Sequence, residues 1–139
     1  MLQVFKKLIV KTTPFEIVNI THDIYDQINT CDIKNGLVNL SILHTSCSLM
    51  IQENADPSVL KDISSFLERI VPDGDYYLHN TEGPDDMPAH LKSLITQTHI
   101  SLSLKDKKII LGTWQGIYLL EHRASSRKRE ILVHILGEN

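Results

Sequence analysis

Residues 99–136 read HISLSLKDKKIILGTWQGIYLLEHRASSRKREILVHIL. Apolar and polar residues alternate from Ile100 to Leu104, and further apolar runs follow, a pattern typical of β-strands. Turn residues separate these runs, and no helical period interrupts them. The stretch therefore predicts four short strands in succession, of which 117–123 and 130–136 form a closing hairpin.

The earlier part of the chain mixes strand and helix patterns. Strand patterns cover 4–12, 15–20, 37–43 and 48–52, and helical periods cover 21–29, 57–70 and 88–95. Asp56 and Pro57 are a typical helix start, because aspartate caps the helix and proline at its first position loses no needed donor. Strands and helices neither alternate regularly nor separate completely. We therefore predict an α+β fold in a single domain, residues 1–139, with mixed sheets and two to three helices.

Composition excludes several classes of protein. A net charge of −3 gives no global basic field, so we expect no nucleic-acid partner. No apolar run is long enough for a transmembrane helix, and no membrane association is expected. The N-terminus lacks the features of a secretory signal, and two cysteines do not make a disulfide framework. These features predict a cytoplasmic protein with free thiols.

Polar residues gather beside glycine or proline at three places where a packed core does not require them. The clusters are HTSCS (44–48) followed by QENADP (52–57), HNTEGPDDMPAH (79–90), and LGTWQGI (111–117). Their order and spacing resemble the YjbQ-like family of small proteins, over essentially the whole chain. The chain departs from many members at Gly83-Pro84-Asp85-Asp86, where a Gly-Asn pair is common, and at Lys107, where glycine is common.

The resemblance implies a compact α+β fold assembled as a homotrimer, with a polar site near the subunit boundaries. It also implies a weak thiamine-phosphate synthase activity, which joins the pyrimidine and thiazole phosphates of thiamine. The partner would then be a small phosphorylated substrate.

Three histidines, His44, His79 and His90, each lie beside a predicted turn or helix start. Neutral imidazole is a common ligand of transition metals, and three such groups with a water form an open catalytic site. The resemblance favours a shared site with a divalent metal, Zn, Ni or Mg. The alternative is that they are ordinary surface or capping histidines.

The carboxylates of these clusters divide into two groups. Asp56 and Asp86 precede predicted helices, and we interpret both as helix caps. Glu53 and Glu82 have no such explanation, so we assign them to the site, as orienting groups or general bases.

The remaining candidates would contact substrate. Trp114 can stack on a heteroaromatic ring, with Gln115 beside it, or both can lie at a subunit contact. A basic turn is either a solvated hairpin end or a phosphate-binding segment, with Arg123 as the best candidate; it contains Arg123, Arg127, Lys128 and Arg129. Lys92 is a further candidate for binding phosphate. Ser46 is a candidate hydrogen-bond donor to it, although turn chemistry explains Ser46 equally well. Cys47 is better explained as a buried, inert thiol than as a nucleophile.

Three functions fit these residues. The first is alkyl transfer of the thiamine-phosphate synthase type, with His44, Glu53, Glu82, His90, Gln115 and Arg123 as catalytic residues, Trp114 and Ser46 as ligand-binding residues, and His44, His79 and His90 as metal ligands. The second is a metal-dependent hydrolase of a phosphorylated small molecule, in which the metal lowers the pKa of a bound water. The third is a non-catalytic, trimeric ligand-binding protein.

Overall fold

Eight strands and three helices follow one another along residues 1–139, all of which the computed structural model describes. The strands are β1 (Leu2–Lys11), β2 (Ile17–Asn19), β3 (Asn35–Ile42), β4 (Cys47–Glu53), β5 (His99–Lys105), β6 (Lys108–Ile109), β7 (Gln115–Glu121) and β8 (Lys128–Glu138). The helices are α1 (Thr21–Asn29), α2 (Pro57–Ile70) and α3 (Asp86–Ile95). No helix is both long and apolar enough to cross a membrane.

The strands form two sheets, one of five strands in the order β1-β8-β3-β5-β6 and one of three in the order β2-β7-β4. The predicted α+β fold with up to three helices is confirmed. The expectation of mixed sheets is wrong, because every strand pair in both sheets is antiparallel.

The predicted closing hairpin of the last two long strands is also wrong, because β7 and β8 belong to different sheets. Strand β8 pairs with β1 from Leu2 to Lys11 and with β3 on its other edge, so both of its edges are hydrogen-bonded. Strand β7 is likewise central, between β2 and β4. Neither strand has a free edge to offer the other.

The core lies between the inner faces of the sheets and helix α1. Alternate residues of β8 point inward, among them Ile131, Val133 and Ile135, none of which is exposed. Helix α1 contributes Ile24 and Ile28, one turn apart on the same face.

Helix α2 begins as predicted, with Asp56 Oδ1 accepting a hydrogen bond of 2.9 Å from the amide of Ser58. The Asp56 cap is therefore confirmed. Helix α3 begins differently, because its N-cap residue, Asp85, forms no side-chain cap hydrogen bond.

Candidate metal centre

Four side chains from α3 and the loop before it bring their ligand atoms within 4.8 Å of one another: His79, Glu82, Asp86 and His90. We call them the metal cluster. Asp86 and His90 lie one turn apart on α3, so they share a helix face. His79 and Glu82 come from the preceding loop, which turns into α3 at Gly83, whose φ of 103° suits glycine.

The spacing of these atoms fits a divalent ion. His90 Nε2 lies 3.2 Å from Asp86 Oδ2, and His79 Nε2 lies 3.4 Å from Glu82 Oε2. A tetrahedral ion with bonds near 2.1 Å separates its ligand atoms by about 3.4 Å. His79 Nε2 and Asp86 Oδ2 are closer, at 2.7 Å, and an ion would have to widen that pair. Two imidazoles with two carboxylates favour zinc or nickel over magnesium, which prefers oxygen ligands.

The orientation of His90 is the most specific feature of the cluster. Its Nδ1 lies 2.8 Å from the carbonyl oxygen of Thr45, which can only accept, so Nδ1 carries a proton and donates it. In the neutral ring Nε2 then has a lone pair, and that lone pair faces the carboxylate of Asp86. Such an arrangement needs a positive charge between the two atoms, either a proton or a metal ion. A backbone carbonyl orienting the other ring nitrogen is typical of histidine ligands.

Arg123 holds Asp86 in place from the other side. Its Nη1 lies 2.8 Å from Asp86 Oδ1, its Nε donates to Asp85 Oδ2 at 2.8 Å, and its Nη2 donates to the carbonyl oxygen of Glu82 at 2.9 Å. One guanidinium therefore fixes α3 and the loop together and leaves Asp86 Oδ2 directed at the cluster. Burial alone would lower the pKa of Arg123, but the carboxylates of Asp85, Asp86 and Glu82 raise it.

Asp86 is 2% exposed and does not cap α3 through its side chain, so its interpretation as a helix cap is wrong. Burial acts to raise the pKa of Asp86. Hydrogen bonding with His79 and Glu82 and the charges of His90 and Arg123 outweigh burial, and the pKa is lowered. The carboxylate is thus ionised at neutral pH, as a metal ligand requires.

His44 lies outside the metal cluster. The backbone amide of Glu130 donates to its Nε2 at 2.8 Å, so the neutral ring carries its proton on Nδ1. Burial, with help from the charge of Arg129, lowers the pKa of His44. Of the three predicted histidine ligands, the fold brings His79 and His90 together. His44 accepts a hydrogen bond at Nε2 and carries its proton on Nδ1, so neither nitrogen of the neutral ring offers a free lone pair to a metal ion.

An open cavity of about 590 Å³ joins these groups. It is lined by Leu43, His44, Thr45, Ser46, Glu82, Asp86, His90, Arg123, Arg127 and Arg129. In the wall of the cavity, the largely buried Arg129 pairs with Glu121 and donates to Ser46 Oγ at 2.9 Å. Burial acts to raise the pKa of Glu121, but hydrogen bonds from Arg129 and Thr12 outweigh it and the pKa is lowered.

Three predicted site residues lie at the opposite end of β7. Trp114 is 64% exposed, Gln115 Oε1 accepts from the amide of Gly112 at 2.7 Å, and the carbonyl oxygen of Glu53 accepts from Tyr118. A seven-residue strand separates Gln115 from Glu121 by about 20 Å, at roughly 3.3 Å per residue. Within one chain, these three residues do not reach the cavity.

Lys92 is buried against Glu68 and lies 5.2 Å from the centre of the Phe15 ring, so it does not serve the cavity. Near it, His122 Nε2 lies 2.8 Å from Ser48 Oγ. Burial, reinforced by the charge of Lys92, lowers the pKa of His122 to about 4. Burial raises the pKa of Cys47 to about 12, which agrees with an inert thiol.

Sequence reasoning misjudged two residues that shape the site: it assigned Asp86 to a helix cap, and within the basic turn it preferred Arg123 to Arg129. One signal for Asp86 was available: Asp86 and His90 stand four apart at a predicted helix start, which places both on one face. Arg129 belongs to the basic turn, but its place beside Ser46 could not be predicted, because it depends on the pairing of β8 with β3.

The fold and site together define a small α+β protein with a two-histidine, two-carboxylate cluster at the rim of a polar cavity. The chain belongs to the UPF0047 protein YjbQ-like family, whose family model matches residues 6–138.

Relatives and solved structures agree with this assignment. The chain is 43% identical to UPF0047 protein sll1880 of Synechocystis sp., over 94% of this chain and 90% of the relative. It is 42% identical to UPF0047 protein YjbQ of Escherichia coli O157:H7, over 92% of each. A conserved hypothetical protein from Thermus thermophilus superimposes with a TM-score of 0.83 at 35% identity, over 94% of this chain and 99% of that one. A YbjQ-like protein of unknown function from Sulfolobus solfataricus, 24% identical, shares the fold with a TM-score of 0.86, over 98% and 99% of the two chains.

Proposed function

We propose that the chain is a divalent-metal-dependent enzyme that acts on a small phosphorylated substrate in the cavity beside the metal cluster. The observation that carries this proposal is the convergence of four potential ligand atoms within 4.8 Å, from His79, Glu82, Asp86 and His90. The Thr45 carbonyl orients His90 so that its Nε2 is directed at Asp86 Oδ2. Zinc or nickel suits these ligands best. A bound ion would supply positive charge to a phosphate oxygen at the rim of the cavity.

The reaction we propose is the alkyl transfer implied by the YjbQ-like resemblance. The thiazole nitrogen attacks the methylene carbon of the pyrimidine diphosphate, a C–N bond forms, and the C–O bond to diphosphate breaks. The electron pair leaves with the diphosphate, so no protein nucleophile is required. The protein must orient two substrates and stabilise the charge on the leaving group, and the polar cavity is suited to this.

Hydrolysis of a phosphorylated small molecule is the second candidate. Glu82, Asp86 and His90 of the cluster line the cavity. An ion held by the four protein ligands would need a fifth position for the bound water that metal hydrolases use, so hydrolysis would require a five-coordinate ion. The two reactions differ in the nucleophile, a thiazole nitrogen or a water, and therefore in product.

The test begins with protein purified without a histidine tag and analysed for bound metal. The metal-loaded protein is then assayed with pyrimidine diphosphate, with and without the thiazole phosphate. Thiamine phosphate as product supports transfer, and release of phosphate without the thiazole supports hydrolysis. His90→Ala should abolish either activity, whereas His22→Ala, an exposed histidine on α1, should not. Failure to bind any divalent ion at micromolar concentration would contradict the proposal.

We also propose that the chain assembles as a homotrimer in the cytoplasm. The outer face of the five-stranded sheet supports assembly, since Phe5, Ile9 and Leu37 are 62%, 54% and 44% exposed on it. In such an assembly, Glu53, Trp114 and Gln115 would act on the cavity of a neighbouring copy. Native mass spectrometry measures the number of copies directly, and a monomer at micromolar concentration would contradict this assembly.

A further inference from the structure

We infer that one part of the cavity wall, formed by His44, Ser46, Arg127 and Arg129, binds a phosphate or diphosphate group. We call these four residues the anion wall. The inference deepens the proposed function and rests on its phosphorylated substrate, but it assigns the phosphate to residues that are separate from the metal cluster.

Arg129 supplies the central donor. Its side chain is buried, its Nε donates to Glu121, and its Nη2 donates to Ser46 and Glu121. Its Nη1 has no protein partner, while no buried side-chain nitrogen or oxygen in the protein lacks one. Nη1 therefore reaches the cavity surface. Because the other two nitrogens hold the guanidinium plane in place, its N–H groups are preorganised for an anion.

His44 and Ser46 provide neutral donors beside it. The Glu130 amide fixes the proton of the neutral His44 ring on Nδ1, which has no protein partner and is therefore solvent-accessible by the same reasoning, in a residue that lines the cavity. Ser46 Oγ accepts from Arg129 Nη2, so its own hydrogen is available to a ligand. Donors from three different side chains suit the several oxygens of a phosphate better than the two oxygens of one carboxylate.

Arg123, the arginine that the sequence favoured for phosphate, is committed elsewhere. All three of its guanidinium nitrogens already contact Asp85, Asp86 or the carbonyl oxygen of Glu82. Arg127 is exposed at the cavity, and its side chain is hydrogen-bonded only to Ser125, through Nε at 3.2 Å. The uncommitted arginine donors of the cavity therefore lie on Arg127, whose charge no carboxylate neutralises, and on Nη1 of Arg129, whose charge is paired with Glu121.

The test measures binding of inorganic phosphate and of pyrophosphate to the chelator-treated protein by calorimetry, with malonate as a carboxylate control. We expect millimolar or tighter binding of the phosphates and weaker binding of malonate. His44→Ala and Arg129→Lys should each weaken phosphate binding about tenfold or more, because each removes a donor to a charged group. Lys128→Ala, which removes an exposed charge at the start of β8, should leave it unchanged.

A second measurement separates this inference from the metal proposal. Arg123→Lys should weaken zinc binding and leave phosphate binding to the metal-free protein intact, whereas His44→Ala should do the reverse. If Arg129→Lys fails to fold, as judged by circular dichroism, His44→Ala and Ser46→Ala decide the matter. Phosphate affinity unaltered in the folded variants, or malonate binding as tightly as phosphate, would overturn the anion wall even if zinc binds as expected.

Discussion

Polar residues lie at both ends of strand β7, but they form a hydrogen-bonded turn at its start and a potential metal site beyond its end. At its start, the turn around Trp114 satisfies its own polar groups: Gln115 accepts from Gly112, and the carbonyl oxygen of Trp114 accepts from the amide of Asn54. Beyond its end, Arg123 holds a cluster in which imidazole and carboxylate atoms face one another within 4.8 Å, close enough to share a metal ion. At the start of the strand, polar side chains bond mainly to backbone groups and build a turn, whereas beyond its end four potential metal ligands from different segments converge on one another.

The largest difference between the two ends should appear in metal affinity after substitution of a ligand. Asp86→Asn keeps the size of the side chain but removes a charged ligand, so zinc affinity should fall by more than the roughly 10- to 100-fold that loss of an outer partner costs. Isothermal titration checks this, with Asp62→Asn on the exposed face of α2 as the matched control. Equal zinc affinity in the two variants would show that the metal cluster does not hold the ion.

The buried histidine that follows β7 should make stability depend on pH. The folded pKa of His122 is about 4, below its ordinary 6.5, so the unfolded chain binds more protons between these values. The free energy of unfolding should be highest above pH 6.5 and should fall by about 3 kcal/mol as pH decreases through 4. Urea unfolding at pH 7 and pH 4.5 measures the change.

His122→Gln should flatten this dependence, since glutamine can still bond Ser48 but does not titrate. His22→Gln, at an exposed histidine, should keep the wild-type slope. An unchanged slope in His122→Gln would mean that another group controls acid sensitivity.

Amide hydrogen exchange should also distinguish the two ends. Residues 72–82, which carry His79 and Glu82, make no backbone–backbone hydrogen bonds, so their order depends on side-chain contacts. Zinc should slow exchange in this loop by joining His79 and Glu82 to α3. The Trp114 turn, already hydrogen-bonded, should exchange at the same rate with and without the ion. Slower exchange in both regions would indicate a general effect on stability.

The smallest effect should follow substitution of Trp114. The indole is largely exposed and far from the cluster, so Trp114→Ala should change zinc affinity by no more than about twofold, the usual range for a surface substitution. The same titration measures it, with Gln115→Ala for comparison. A large loss of zinc affinity in either variant would show that this end of β7 reaches a metal cluster, in the same chain or in a neighbouring copy.

Local patterns were sufficient to predict most elements of the fold. The period of apolar residues located all three helices, and Asp56 with Pro57 marked the start of α2. The pairing of β7 and β8 could not be predicted in this way, because alternation indicates a strand but not its neighbour. Lys92 illustrates the same limit: its charge suggested phosphate binding, yet helix packing buries it against Glu68.

By itself, the amino-acid sequence determined the α+β class, the helix positions, the family and the short list of polar residues from which a site could be built. Tertiary structure alone decided which of them meet. It places His79 and His90 beside Asp86, and it pairs Arg123 with carboxylates. It keeps His44 outside the metal cluster, bonded to the Glu130 amide, and places Trp114 at the far end of β7. The physical reason is that propensity and periodicity act over a few neighbouring residues. A binding site depends on distances between segments that only strand pairing and helix packing bring together.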